Sequence, residues 1–363
     1  MSIARNLEKL LAERPSQVEK KLGSSSKVCL VSSDPVFKTL KDDKVIIMAC
    51  NTRLKHVIPG IMRAAQDLDA IVAFELAKSE GNLKGGYTGM DPYIYFDTIM
   101  EYAEKVGSTK PFFIHGDHVT TKSKEPDVVA DSRALIKAEL DAGYTSIAID
   151  ASFNEIPDNI IVTTELARDI IAARAGLEVE VGEIKSTGYE GEITTVEEAV
   201  DYIKGVTGNG IRPNLLAINN GSKHGNYKPG EDVHIDLKRT GEIYEAIKGF
   251  GVNIAQHGIT GTPLDLVGQF ADFGIRKGNV GTNWQNIAHE GLPPELMNTM
   301  KQWCEKEGKD IKFATKQFLS DIASIPEQYK KKIEDDSYRS ACEFIKAFRA
   351  VGTASMFLER MAS

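Results

Sequence analysis

The run Val45-Ile46-Ile47-Met48-Ala49-Cys50-Asn51-Thr52 decides the fold. Its first five residues are apolar and rich in β-branched side chains, the composition of a strand buried on both faces. Residues 49–52 stand where an open doubly wound sheet carries its glycine-rich phosphate turn, and they contain no glycine. Comparable runs recur outward from this one, at Ile71 to Leu76, Phe112 to His115, Ser146 to Asp150, Leu177 to Val181, Asn214 to Asn219, Val252 to His257 and Ile275 to Val280. Between most of them lie stretches of helical periodicity: Ile61 to Leu68, Tyr93 to Val106, Ser132 to Ala142, Ile160 to Ala175, Val196 to Lys204, Thr240 to Ile247 and Pro263 to Phe273. Strand followed by helix, eight times over, predicts an α/β fold, a (β/α)8 TIM barrel.

The 363 residues suit one such domain. Residues 1–40 read as an N-terminal helical cap, and 293–363 as a charged C-terminal helical extension. Hydrophobic residues make up 42% and charged residues 26% of the chain, so a large core can form. A net charge of -8 gives no basic footprint for nucleic acid or an anionic membrane, which leaves a small molecule as the expected partner. The four cysteines have no C-x-x-C spacing, so neither a disulfide framework nor a cysteine metal site is expected. No apolar run approaches the roughly 20 residues that span a bilayer. Residues 1–13 alternate charges with leucines rather than forming a signal core, and a cytoplasmic enzyme is expected.

Chemistry concentrates at strand ends, where barrel active sites assemble. Of seven histidines, His115, His118, His224 and His257 fall at or just beyond candidate strands. Converging imidazoles and a carboxylate make a divalent-metal site, because both donate well to zinc. Glu180 is placed to be that carboxylate, and Asp117, beside His118, is the candidate acid/base. The stretches Gly258-Ile259-Thr260-Gly261-Thr262 and Gly278-Asn279-Val280-Gly281-Thr282 offer amides and hydroxyls after strands seven and eight, the usual phosphate location in barrels. His56, His234 and His289 lie in segments read as loop or helix and are expected to be structural.

These segments resemble class II fructose-bisphosphate aldolases and the related tagatose-bisphosphate aldolases. His115-Gly116-Asp117-His118 is similar to the family's His-x-Asp-His, and Ile149-Asp150-Ala151-Ser152 and Glu180-Val181-Gly182 resemble two further strand ends. His224-Gly225-Asn226-Tyr227-Lys228-Pro229-Gly230 and His257-Gly258-Ile259-Thr260-Gly261-Thr262 resemble the two segments that each supply a metal histidine. The resemblance implies Zn2+ or another divalent metal on His118, His224 and His257 with Glu180, and allows a monovalent cation. It implies Asp117 as the acid/base, and Asn51, Gly225, Lys228, Gly258, Thr260, Asn279, Gly281, Thr282 and Arg349 toward substrate and its phosphates. A homodimer or homotetramer acting on sugar bisphosphates and triose phosphates is expected by the same resemblance.

Three departures mark a divergent branch. Gly281 replaces the family's usual aspartate. The loop after Glu180 lacks the family's pattern and leaves Glu190 as the candidate for the second proton transfer. Glu75 stands in the second strand where the family has serine, and Gly85-Gly86-Tyr87-Thr88-Gly89-Met90 resembles the companion subunit of tagatose-bisphosphate aldolases. The expected reaction is metal-dependent cleavage of a ketose 1,6-bisphosphate, fructose 1,6-bisphosphate first. Its rivals are a tagatose-specific enzyme, a non-catalytic companion subunit, and a Schiff-base aldolase using Lys277.

Overall fold

The structure, a computed structural model, describes residues 3–182, 193–223, 225–226 and 233–361. Three helices, α1 (Ile3–Glu13), α2 (Ser16–Leu22) and α3 (Ser33–Leu40), precede the sheet. The alternation then runs β1 (Ile47–Asn51), α4 (Ile58–Asp67), β2 (Val72–Ala77), α5 (Pro92–Val106), β3 (Phe112–Thr120), α6 (Pro126–Ala142), β4 (Ser146–Asp150) and α7 (Ile156–Ala172). It continues through β5 (Gly176–Val181), α8 (Val196–Gly208), β6 (Leu215–Ile218), α9 (Leu237–Ile247), β7 (Asn253–Gln256), α10 (Leu264–Val267), β8 (Ile275–Val280) and α11 (Thr282–Gly291). All eight strands pair in parallel with their sequence neighbours, and β8 closes on β1. The (β/α)8 barrel read from the sequence is the fold.

Helix boundaries follow local chemistry. Pro92 and Pro126 sit in first turns, where a missing N–H costs nothing, and Gly107 and Gly143 end their helices in the left-handed conformation. The seventh connection departs from the single helix expected over Pro263 to Phe273. It is α10 followed by a 3-10 turn at Phe270–Phe273, the break falling at Gly268 and Gln269.

The barrel interior is layered. At the amino-terminal end Ile47, Ala49, Ile71, Ala73, Phe113, Leu215, Ala217 and Ala255 form an apolar plug. Phe37 and Leu40 of α3 and Phe357 and Leu358 of the last helix close it from below. Two residues further along several strands the interior turns ionic: Glu75, His115, Glu178 and Lys277 are all buried. Asn51, Asp117, Glu180 and Asn279 follow at the carboxyl-terminal mouth. A separate, larger apolar cluster fills the space between sheet and helices, including Phe74, Tyr95, Phe112, Tyr202 and Trp284.

After α11 the chain returns over the first βα units through α12 (Pro294–Glu307), α13 (Ala314–Gln317), α14 (Leu319–Ala323), α15 (Glu327–Ala347) and α16 (Thr353–Arg360). Helix α15 crosses α4 at Gly60, where a Cβ would lie 2.2 Å from both Glu334 O and Ser337 Oγ. That close approach fixes the extension against β1 and α4. The 3-10 turn Ile311–Phe313 lies beside the mouth, with Phe313 edge-on to Tyr87 at 5.8 Å and the following Lys316 N donating to Tyr87 O at 3.1 Å.

Candidate active site

The site begins with a fault in β3. His115 and Gly116 pair with Ser146 and Ile147, but Val119 and Thr120 pair with Ile149 and Asp150, so Asp117 and His118 together face a single residue of β4. His118 takes up the extra residue at φ 42°, a left-handed conformation that costs a non-glycine residue on the order of 1–2 kcal/mol. A regular strand points successive side chains to opposite faces. The bulge lets Asp117 and His118 both reach the mouth.

The two then meet different neighbours. Asp117 receives hydrogen bonds from Asn51 Nδ2 at 2.9 Å and Asn279 Nδ2 at 2.9 Å, one amide on each carboxylate oxygen. Burial works to raise its pKa, but His118, Lys277, His257 and His115 override it and hold the group far below the usual carboxylate range. His118 Nδ1 lies 3.0 Å from Glu180 Oε2 and 3.6 Å from Asp150 Oδ2. Burial opposes the imidazolium there, while Glu180 and Asp117 push its pKa well above the usual value. Asp150 is aimed by Ser152, whose hydroxyl donates to Oδ1 at 2.6 Å.

His257, at the end of β7, is buried directly behind His118, with ring centroids 4.3 Å apart. Its Nε2 lies 2.9 Å from Glu178 Oε1. Glu178 stays ionised because Lys277 and His257 outweigh its burial. An ionised acceptor at Nε2 assigns the proton to that nitrogen and the lone pair to Nδ1, the arrangement by which carboxylates orient metal-binding imidazoles. One ligand atom each from Asp117, His118 and His257 fall within 4.8 Å of one another, and so do atoms of His118, Asp150 and Glu180. Two imidazoles flanked by carboxylates are a donor set that fits zinc or a similar divalent cation. His115 lies one layer deeper, its Nδ1 2.7 Å from Ser146 Oγ.

A cavity of about 290 Å3 opens over these groups. Of the residues singled out in the sequence, Asn51, Asp117, His118, Glu180, Gly225, Gly258, Thr260, Asn279, Gly281 and Thr282 line it. Gly258 is required there: at φ 67° its missing Cβ would lie 2.4 Å from Lys223 O. Glu190, His224 and Lys228 lie outside the described residues. Arg349 is placed elsewhere. Its guanidinium is doubly bonded to Asp272 at 3.0 and 2.8 Å, and Lys44 joins the same carboxylate. Asp272 precedes β8 and Lys44 precedes β1, so this cluster marks the end of the barrel opposite the cavity, and a phosphate there would have to displace Asp272.

Sequence reasoning missed one wall. Arg53, Glu80, Tyr87 and Lys312 also line the cavity. The Gly85 to Met90 stretch is the β2–α5 loop, folded so tightly that a Cβ on Gly86 would sit 2.2 Å from Glu80 O. It brings Tyr87 to donate to Glu80 Oε1 at 3.1 Å. Glu75 does not close the second strand at the mouth. It is buried beneath, 3.2 Å from Lys277 Nζ.

A closed parallel barrel whose mouth joins imidazoles, carboxylates and small hydroxyl-bearing loops defines a barrel enzyme furnished for a divalent cation and an anionic substrate. The chain belongs to the class II fructose-bisphosphate aldolases, whose family model matches residues 31–350, and so to a metal-dependent family of carbon–carbon lyases. A fructose-bisphosphate aldolase of Streptococcus pneumoniae is 26% identical over 89% of this chain and 95% of its own length. One from Giardia intestinalis is 28% identical over 66% of this chain and 69% of its own. Among solved structures, the fructose-bisphosphate aldolase of Campylobacter jejuni superposes with TM-score 0.64 at 17% identity, covering 89% of this chain and 97% of that one. The YdjI aldolase of Escherichia coli K12 gives the same score at 16% identity, covering 90% and 100%. These two share the fold.

Proposed function

We propose that this protein catalyses the reversible aldol cleavage of a ketose 1,6-bisphosphate, fructose 1,6-bisphosphate first, to dihydroxyacetone phosphate and glyceraldehyde 3-phosphate. The observation that carries the reading is the β3 bulge, which sets a buried, ionised Asp117 beside His118, Glu180 and His257. His118, His257 and Glu180, with His224, would hold the cation, zinc by the chemistry of the donors. A divalent ion there supplies Lewis-acid stabilisation of the charge left on the ketone half when the carbon–carbon bond breaks.

The protein's own groups do the rest. Asp117, ionised at rest, accepts the proton of the C4 hydroxyl during cleavage and returns it during condensation. Asn51 and Asn279 hold its two oxygens, so the carboxylate stays in one orientation as the proton moves. Glu190 is the proposed partner for the proton on the triose carbon. Gly225, Lys228, Gly258, Thr260, Asn279, Gly281 and Thr282 orient the substrate's polar ends. A homo-oligomer, a cytoplasmic setting and an accompanying monovalent cation belong to the same proposal.

A lysine mechanism is disfavoured. Lys277 is fully buried, with carboxylates 3.2 and 3.0 Å from its ammonium, and these outweigh burial and raise its pKa rather than free the amine. The test combines elemental analysis with fructose 1,6-bisphosphate cleavage before and after chelation, and with Asp117→Asn. Near-stoichiometric zinc and activity lost on chelation are expected, with Asp117→Asn folded, metal-loaded and slower by about 10^2- to 10^4-fold in kcat. Full activity in metal-free protein would discard the proposal. Turnover of tagatose 1,6-bisphosphate in preference would correct the sugar, and absence of turnover without a second chain would favour the companion-subunit reading.

A further inference from the structure

Among the described residues, two cations line the cavity without belonging to the metal cluster. Arg53, two residues beyond β1, has its side chain 16% exposed, and that opening faces the cavity. Glu80 grips Nε at 2.7 Å, and Nη1 is 3.0 Å from Gln285 Oε1 and 3.4 Å from Thr282 Oγ1. Among the described residues, its hydrogen bonds thus run from Nε and Nη1. Nη2 is the nitrogen that approaches Gly281, where a Cβ would lie 2.9 Å from it. Gly281 therefore leaves the room that the guanidinium occupies. Lys312 comes from the C-terminal extension and holds its ammonium 5.7 Å from the centre of the Tyr87 ring. Tyr87 in turn bonds Glu80, so one carboxylate organises both sides of this wall.

Glu80 offsets the desolvation of Arg53 from the loop side, and an anion in the cavity would meet the fork from the other. Glu80 already serves Arg53, Tyr87, Asn51 Nδ2 at 3.1 Å and Ala77 N at 3.0 Å, so it acts as the support of the wall. We propose that Arg53 and Lys312, with Thr282, form a built-in cationic subsite that takes a phosphate monoester of the substrate, and that Glu80 positions it. The proposal rests on the bisphosphate-aldolase reading for the identity of the ester alone. A planar fork presenting Nη2, backed by an ammonium, suits a dianionic phosphate better than a neutral sugar hydroxyl.

The test titrates inorganic phosphate into metal-loaded protein by calorimetry, with KM and kcat for fructose 1,6-bisphosphate measured in parallel. Arg53→Gln is expected to weaken phosphate binding roughly 10- to 100-fold, the range a charge-assisted hydrogen bond carries. Arg53→Lys should recover part of the loss, and Lys312→Gln should lose less than Arg53→Gln. Gly281→Asp, which sets a carboxylate against Nη2, should reproduce the loss with the arginine still present. The enzymatic signature is a raised KM at unchanged metal content, which a merely structural role would not give. Should Arg53→Gln fail to fold, Lys312→Gln and Gly281→Asp decide the matter. Unchanged phosphate affinity in the folded variants overturns the subsite whatever the activity. Variant-sensitive phosphate binding in a protein that cleaves no sugar bisphosphate keeps the subsite and overturns the reaction.

Discussion

The two halves of the barrel mouth are built by opposite means. On the β3–β5 side, Asp117, His118, Asp150 and Glu180 sit on the ends of the strands themselves, and a bulge and a left-handed residue aim them. On the β8–β1–β2 side, Arg53, Glu80, Tyr87 and Lys312 sit beyond the strands, on loops and on a turn of the C-terminal extension. The first half is acidic and shaped by backbone geometry; the second is cationic and shaped by side chains converging on one carboxylate. Strand-borne groups are more rigidly held than loop-borne ones, which suits groups that must hold a metal and move a proton. The loop-borne half suits an anion that must enter and leave.

Damage to the two halves is expected to separate in kinetics. His118→Ala should lower kcat/KM by more than about 10^3-fold and deplete bound metal, because the cation's stabilisation of several kcal/mol goes with it. The same experiment on the cationic half should change KM and leave metal content intact. A His118→Ala protein with normal metal and a defect confined to KM would break the comparison.

Glu178→Gln probes the layer beneath. Glu178 joins His257 at 2.9 Å and Lys277 at 3.0 Å, so its charge orients one imidazole and neutralises one buried ammonium. Metal affinity should fall about 10- to 100-fold, the usual cost of losing an orienting carboxylate. Stability should fall as well, by an amount approaching the ~3–5 kcal/mol of a broken buried pair. Calorimetric metal titration together with denaturant unfolding reads both, and unaltered metal affinity would detach His257 from the metal half.

Gly116→Ala tests whether the acidic half depends on backbone. A Cβ at Gly116 would lie 2.3 Å from the carboxylate of Glu139, which is buried against the outer face of β3. Burial and Asp117 raise the pKa of that carboxyl, against Lys78, which favours its staying in the protein over a move to water. Overpacking of this kind costs about 1–3 kcal/mol. Thermal unfolding should show the loss, accompanied by lower activity if the displacement reaches His118.

The acidic half was the more legible in sequence for a physical reason. Residues carried on strand ends lie within a few positions of each other, so Asp117 with His118, and Glu180 with Gly182, appear as compact patterns at the places where barrels work. The strand runs themselves were visible because buried parallel strands are continuously apolar, and Ser146 to Asp150 and Ile275 to Val280 coincide with β4 and β8. Phe112 to His115 was too short a reading of β3, because Gly116, Asp117 and His118 continue the strand through the bulge with polar residues. The cationic half left no such trace. Lys312 is 259 residues from Arg53, and the C-terminal extension, bonded back to the β2–α5 loop through Lys316, brings it over the mouth. Arg349 differs in the other direction: a local pattern pointed to a phosphate reached across a subunit interface, and within this chain the residue sits at the far end of the barrel, bonded to Asp272.

The smallest expected effect falls on α11, the helix behind the cationic half. His289 in its last turn has its pKa lowered to about 4, first by burial and then by the charges of Arg53 and Lys301, against an opposing pull from Asp310. The unfolded chain takes up a proton near the ordinary value of 6.5, whereas the folded chain resists it until about 4. In that interval the unfolded state binds more protons, so stability is fully present above pH 6.5 and is lost as pH falls toward 4. Linkage puts the loss at pH 5 near 2 kcal/mol for a sealed site, and partial access of water to His289 brings it to about 1–2 kcal/mol. Denaturant unfolding of wild type and His289→Gln at pH 7.5 and pH 5 isolates this share. The variant should lose less stability on acidification, by that difference. Equal losses in both proteins would mean that burial, with the charges of Arg53 and Lys301, does not hold the folded imidazole below its ordinary range.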